Sequence, residues 1–173
     1  NFGTLEEVME GKFRPGHFNG VAQVVSRLFD VVKPDKAFFG EKDFQQLAII
    51  SEMVRRMNIP VEIVPCAIVR ESDGLAMSSR NMLLSPEQRK NAVHISATLF
   101  EAVNKSKELT VQELCKWVVN RINENEFLNI EYFEIVNSIT LQSVKSWSDS
   151  GEKVGCVAVH CGKIRLIDNI RFK

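Results

Sequence analysis

Residues 36–58 read KAFFGEKDFQQLAIISEMVRRMN, and a change of periodicity inside them decides the fold class. The run 36–40, KAFFG, is short, apolar on both sides and closed by a glycine, the pattern of a buried parallel strand. From Phe44 to Met57 the apolar positions Leu47, Ile50, Val54 and Met57 return at helical spacing, and Asn58 is a natural stop. Between strand and helix stand Gly40, Glu41, Lys42 and Asp43, with Gln45 and Gln46 opening the helix.

Working outward, residues 18–32 place Val21, Val24, Val25, Leu28, Val31 and Val32 on one helical face, and Pro34 closes that helix. The run 61–69, VEIVPCAIV, is β-branched and apolar and predicts a second strand, interrupted at Pro65. Helix, strand, helix and strand in succession are the signature of an α/β sheet with crossover helices. Residues 70–84, RESDGLAMSSRNMLL, read as a long loop. It ends at Ser85, with Pro86 at the first helical position and Gln88 completing a capping box for a helix to about Lys105. Val93, Leu99, Phe100 and Val103 are expected to point inward from that helix. Thr110 and Glu113 make a second capping box, for a helix burying Leu114, Val118 and Ile122. Residues 130–136 and 154–168 are strand-like, the latter folding back at Gly162 as a hairpin. The chain therefore reads as the back half of a parallel α/β domain followed by a small α+β module with an antiparallel sheet.

Lys and Arg number 22 and so do Asp and Glu, so no global field draws nucleic acid or an anionic membrane, and an anion needs a local cluster. No apolar run approaches the roughly 20 residues that span a bilayer. Cys66, Cys115, Cys156 and Cys161 form no C-x-x-C pair and the three histidines are far apart, which argues against a metal site in this chain and for reduced thiols in a cytoplasmic protein.

In open α/β sheets ligands bind beyond the carboxyl ends of the strands. Two polar clusters fall there. In the first, Asp43 and Gln46 have capping-box spacing, which by itself describes a well-capped helix. The same geometry offers free N–H groups to an anion, with Gly40 permitting close approach, Lys42 a point charge for phosphate and Asp43 an acceptor for ribose hydroxyls. The second, residues 77–81 MSSRN, offers the hydroxyls of Ser78 and Ser79, the planar fork of Arg80 and the amide of Asn81; read alone it is better described as a solvated turn. A third segment, residues 11–20 GKFRPGHFNG, sets Arg14 and His17 among glycines before a helix, either as a basic loop near the site or as a plain connection. His94 on a helix and His160 on a strand read as structural.

The segments RPGHFNGV, FFGEKDFQQLAII, DGLAMSSRNMLLSPEQR and the closing RLIDN together resemble the pantothenate synthetase (pantoate–β-alanine ligase) family over essentially the whole chain. The resemblance implies a partial Rossmann-like nucleotidylyltransferase domain over residues 1–72 and a C-terminal α+β lid over 73–173. It implies condensation of pantoate with β-alanine, with ATP as substrate and Mg²⁺ as cofactor, through a pantoyl-adenylate. By the same resemblance Gly40, Glu41, Lys42 and Asp43 contact ATP, Val69 lies by the adenine, and Met77, Ser78, Ser79 and Arg80 form a second nucleotide segment. Lys42, Ser78, Ser79 and Arg80 then stabilise transition-state charge, Gln46 holds pantoate, and Arg14 and His17 are further loop contacts. The intact enzyme is expected to be a homodimer acting on small molecules, without nucleic acid or membrane.

The family's H-x-G-H segment has no counterpart among these residues, and His17 stands in no such motif. The chain thus resembles the C-terminal part of the enzyme, and by itself is expected to be inactive. The competing readings are a non-catalytic module that binds nucleotide weakly and another nucleotidylyltransferase-type enzyme.

Overall fold

The computed structural model describes residues 2–172. Two compact units emerge, the first running to Ala67 and taking in Thr140–Gln142, the second formed by Ile68–Ile139 and the remainder from Ser143.

The first unit contains a 3-10 turn at Gly3–Leu5, the short helix α1 (Met9–Phe13), α2 (His17–Val32), β1 (Lys36–Gly40), α3 (Phe44–Met57) and β2 (Glu62–Cys66). Strands β1 and β2 pair in parallel, with Phe38 opposite Val64 and Gly40 opposite Cys66, as the strand–helix–strand pattern predicts. Pro65 sits inside β2 without ending it, since a strand paired on one side only can turn a missing N–H to its free side. Asn58 closes α3 in the left-handed conformation, its amide donating to Val54 O.

Two expectations about burial change. Phe18, Ala22 and Phe29 form the buried stripe of α2, packing with Ile49, Ile50 and Met53 of α3, while Val24, Leu28 and Val31 are 69, 56 and 82% exposed. Apolar residues cover more than one face of this helix, and Val21 and Val25 of the predicted face do pack against the Phe18, Ala22 and Phe29 cluster. Strand β1 likewise turns only Ala37 and Phe39 to the core, leaving Phe38 67% exposed, so its two-sided apolar run is covered on one side.

The second unit packs helices α4 (Pro86–Lys105) and α5 (Val111–Asn123) on the antiparallel sheet β3 (Leu128–Asn137), β4 (Lys153–Cys161) and β5 (Ile164–Phe172), with β4 central. Both capping boxes form as read, Ser85 with Gln88 and Thr110 with Glu113. Leu99, Leu114, Val118 and Ile122 are fully buried against Val157, Val159 and Leu166. Phe100 does not turn inward; it is 44% exposed and stacks beneath the Arg70 guanidinium, 4.9 Å from ring centroid to charge. The β4–β5 hairpin turns at Gly162, whose φ of +58° is the left-handed conformation that suits glycine there. Among the described residues no helix is long and apolar enough to cross a membrane.

Candidate nucleotide and acid-binding segments

In the first unit, β1 passes into a 3-10 turn at Glu41–Asp43, and this turn continues directly into α3. The expected Asp43 cap is absent: its side chain makes no capping hydrogen bond, and its backbone, at φ −89° and ψ 61°, is not in the extended conformation usual for a cap. Asp43 is therefore left exposed at the carboxyl end of a parallel strand, with Glu41 and Lys42 half-buried beside it. Gly40 has φ −69° and ψ 130°, which any residue adopts, and a β-carbon built there would meet nothing within 4 Å. The packing of the described residues therefore makes no demand for glycine at this position.

The two glutamines divide their tasks. Gln45 is buried, and its Nε2 donates to Leu5 O and Val8 O at 2.7 and 2.8 Å, tying the start of α3 to the segment that leads into α1. Gln46, one helical step round, is only half-buried. The anchoring role of Gln45 escapes a reading of the sequence; its one clue is a polar residue next to Phe44 on the buried face.

The third segment lies in the same unit. Arg14 Nη1 donates to His17 Nε2 at 3.1 Å and stands 3.7 Å from the Glu10 carboxylate. Burial and the Arg14 guanidinium hold the His17 imidazole below its ordinary value, while Glu10 and Asp43 pull the other way. Arg14, His17 and Asp43 thus share one electrostatic neighbourhood. Beside it, Gly16, His17, Gly20, Val21, Val24 and Val25 line an open, mostly apolar groove of about 520 Å³.

In the second unit, residues 69–81 are more ordered than a long loop. Arg70 and Ala76 form an antiparallel bridge, Glu71 N donates to Leu75 O, and Met77 N donates to Val69 O at 3.0 Å. Gly74, at φ +92°, makes the turn. Val69 and Met77 are both exposed. Ser78 then caps a 3-10 turn over Ser79–Leu83 by accepting from Arg80 N at 3.2 Å, and Arg80 Nη1 donates to Arg165 O at 3.3 Å. Asn81 does not offer its amide outward; it is buried and donates to Ala76 O. The first unit therefore carries two of the polar segments and the second unit one. Cys115 and Cys161, both with thiols raised by burial, take no part in these segments.

The parallel strands with their intervening helix, followed by an antiparallel three-stranded α+β unit, define the class: a Rossmann-like nucleotidylyltransferase fold with a small lid-type unit. The chain belongs to the pantoate-beta-alanine ligase family, whose model matches residues 1–171. It is 58% identical over 173 residues to the pantothenate synthetase of Bacteroides thetaiotaomicron, covering all of this chain and 61% of that protein. Identity to the pantothenate synthetase of Porphyromonas gingivalis is 51% over 173 residues, covering 62% of it. Among solved structures, pantothenate synthetase from Thermus thermophilus superimposes with a TM-score of 0.92 at 40% identity, over 99% of this chain and 62% of that one. Pantoate-beta-alanine ligase from Francisella tularensis, complexed with beta-gamma ATP and beta-alanine, gives 0.71 at 29% identity, over 96% and 55%. The chain spans about 61% of the length of the Bacteroides relative.

Proposed function

We propose that this chain belongs to a protein that condenses pantoate with β-alanine at the expense of ATP, and that it carries part of the nucleotide and pantoate site. In this reading the pantoate carboxylate attacks the α-phosphorus of ATP and pyrophosphate leaves. The neutral amine of β-alanine then attacks the pantoyl carbonyl, forming the amide and releasing AMP. The carboxylate is already a nucleophile, so the first step calls for positioning and neutralisation of phosphate charge more than for a strong base.

The observation that carries the proposal is the Glu41–Asp43 turn at the carboxyl end of β1, where the exposed Asp43 makes no side-chain cap and open space lies over Gly40. A nucleotide approaching there meets backbone N–H groups of a helix start, the Lys42 ammonium and the exposed Asp43. Lys42, Ser78, Ser79 and Arg80 are assigned to the phosphates, Gly40, Glu41 and Asp43 to the nucleotide, and Val69 and Met77 to the adenine. Gln46 is assigned to pantoate. The valine-lined groove beside Arg14 and His17 suits an acid with a branched apolar body, which supports those two residues as further contacts. The domain assignment is part of the same reading: nucleotide-binding to residue 72, a water-excluding lid over 73–173.

Among the described residues no group of three His, Cys, Asp or Glu is placed to hold a metal ion, and Mg²⁺ brought with ATP as part of the substrate would supply further neutralisation of phosphate charge beside Lys42 and Arg80. A homodimer in the cytoplasm, acting on small molecules and not on nucleic acid, completes the reading. The 173 residues contain no His-x-Gly-His, so the chain alone is expected to bind ATP without turning it over.

Calorimetric titration of the chain with ATP tests this. Micromolar binding that is lost in Lys42→Ala supports the proposal; no heat at millimolar ATP overturns it in favour of a module without a nucleotide site.

A further inference from the structure

We propose that Arg70 and Asp168 act as a positioning pair that holds Val69, Met77 and the Ser78–Arg80 turn in the conformation that meets the nucleotide; this rests on the ATP reading above. Arg70 Nη1 and Nη2 donate to the two carboxylate oxygens of Asp168 at 2.7 and 3.0 Å, across 98 residues of sequence. The same guanidinium donates to Gly74 O at 3.1 Å and to Asn169 O at 3.4 Å, and lies over the Phe100 ring. One side chain thus ties the turn of the 69–81 segment to β5 and to α4.

The pair is well buried, with Asp168 3% and Arg70 18% exposed in their side chains. The Asp168 carboxylate also accepts from Asn169 N at 2.8 Å. A buried ion pair adds little stability over apolar residues of the same volume. What its directed bonds supply is one conformation. Arg70 is also half of the Arg70–Ala76 bridge, so fixing its head group fixes the rung on which Met77 N reaches Val69 O. Downstream, Ala76 O anchors Asn81, and Asn81 lies within the turn bearing Arg80. Lysine cannot replace this arrangement, because an ammonium has no planar fork to span both carboxylate oxygens while reaching Gly74 O.

The test uses the 173-residue chain and two variants. Arg70→Met with Asp168→Leu removes both charges together, so no orphaned charge prevents folding. Arg70→Lys keeps the charge without the fork. Hydrogen exchange at the Glu71, Gly74 and Met77 amides is read alongside ATP affinity and the thermal midpoint. The proposal expects the paired variant to keep its midpoint, to exchange these amides about tenfold faster, and to bind ATP about tenfold more weakly. Arg70→Lys is expected to restore neither protection nor affinity.

Unchanged exchange at the three amides overturns the pair's role outright. Faster exchange with unchanged ATP affinity overturns its link to the nucleotide. If the parent chain takes up no ATP, the ATP reading fails, and exchange alone then decides whether the pair holds the turn.

Discussion

The amide of Met77 donates to the carbonyl of Val69 at 3.0 Å, so two exposed apolar residues at opposite ends of a turn stand side by side on one backbone rung. Exposed apolar side chains on one rung suit contact with a purine, and the next residues, Ser78 to Arg80, begin the hydroxyl and guanidinium groups suited to phosphate. Removing the Met77 side chain by Met77→Ala is expected to weaken ATP binding several-fold while leaving affinity for inorganic pyrophosphate unchanged. Calorimetry with both ligands checks it, and equal losses for the two would contradict the adenine assignment.

Gly40 gives a cleaner separation of folding from binding. Because a β-carbon there meets nothing within 4 Å and the backbone is in an ordinary extended conformation, Gly40→Ala is expected to keep the thermal midpoint or raise it slightly. The added methyl group would occupy the ligand's line of approach and lower ATP affinity about tenfold. A variant that unfolds more easily but binds normally would reverse this reading.

Lys42 and Arg80 are assigned to phosphate charge. A charge-assisted hydrogen bond contributes about 1.5–3 kcal/mol, so each alanine variant is expected to lose about ten- to a hundredfold in ATP affinity. Their effects should be read at fixed ionic strength, since both groups lie near solvent.

The caps separate local stability from the site. Ser85 accepts from Gln88 N at 3.2 Å and Thr110 from Glu113 N at 3.3 Å, so Ser85→Ala and Thr110→Ala should each cost about 1 kcal/mol. Asp43 makes no such bond, and Asp43→Ala should leave denaturant stability unchanged while affecting nucleotide binding. Urea unfolding of the three variants distinguishes these cases.

The contrast also shows what the amino-acid order made legible. Capping boxes and the Gly162 turn are encoded within a few residues, so Ser85, Gln88, Thr110, Glu113 and Gly162 could be read directly. The Asp43–Gln46 spacing looked the same, yet Ser85 and Thr110 are extended where Asp43 has φ −89° and ψ 61°, and spacing does not record that backbone difference. The α2 helix carries apolar residues on two faces, and periodicity alone does not say that Phe18, Ala22 and Phe29 face the core in place of Val24, Leu28 and Val31. The Arg70–Asp168 pair spans 98 residues, and only the fold reveals it. The polar segments themselves were visible as clusters at strand ends; the inward turn of Gln45 and Asn81 was not.

Acid should weaken the first unit through Glu52. Hydrogen bonds from Arg55 and then Arg56 hold its carboxyl at about 2, against 4.5 for the free group. Between those values the unfolded chain binds the extra proton and the folded chain does not, so stability falls as the pH drops through this window and is fully present above it. Glu52→Gln should flatten that part of the profile. The effect should be about 0.5 kcal/mol, as for other surface pairs on a helix, and urea midpoints between about pH 5 and about pH 2.5 would show it.

The proposal stands or falls on ATP meeting residues 40–46 of the first unit. Hydrogen exchange of the chain with and without saturating ATP tests it most directly. Slower exchange in residues 40–46 on adding ATP, with about ten- to a hundredfold more ATP needed to produce it in Lys42→Ala, is the expected result. Unchanged exchange in residues 40–46, or protection that needs no more ATP in Lys42→Ala, would contradict it.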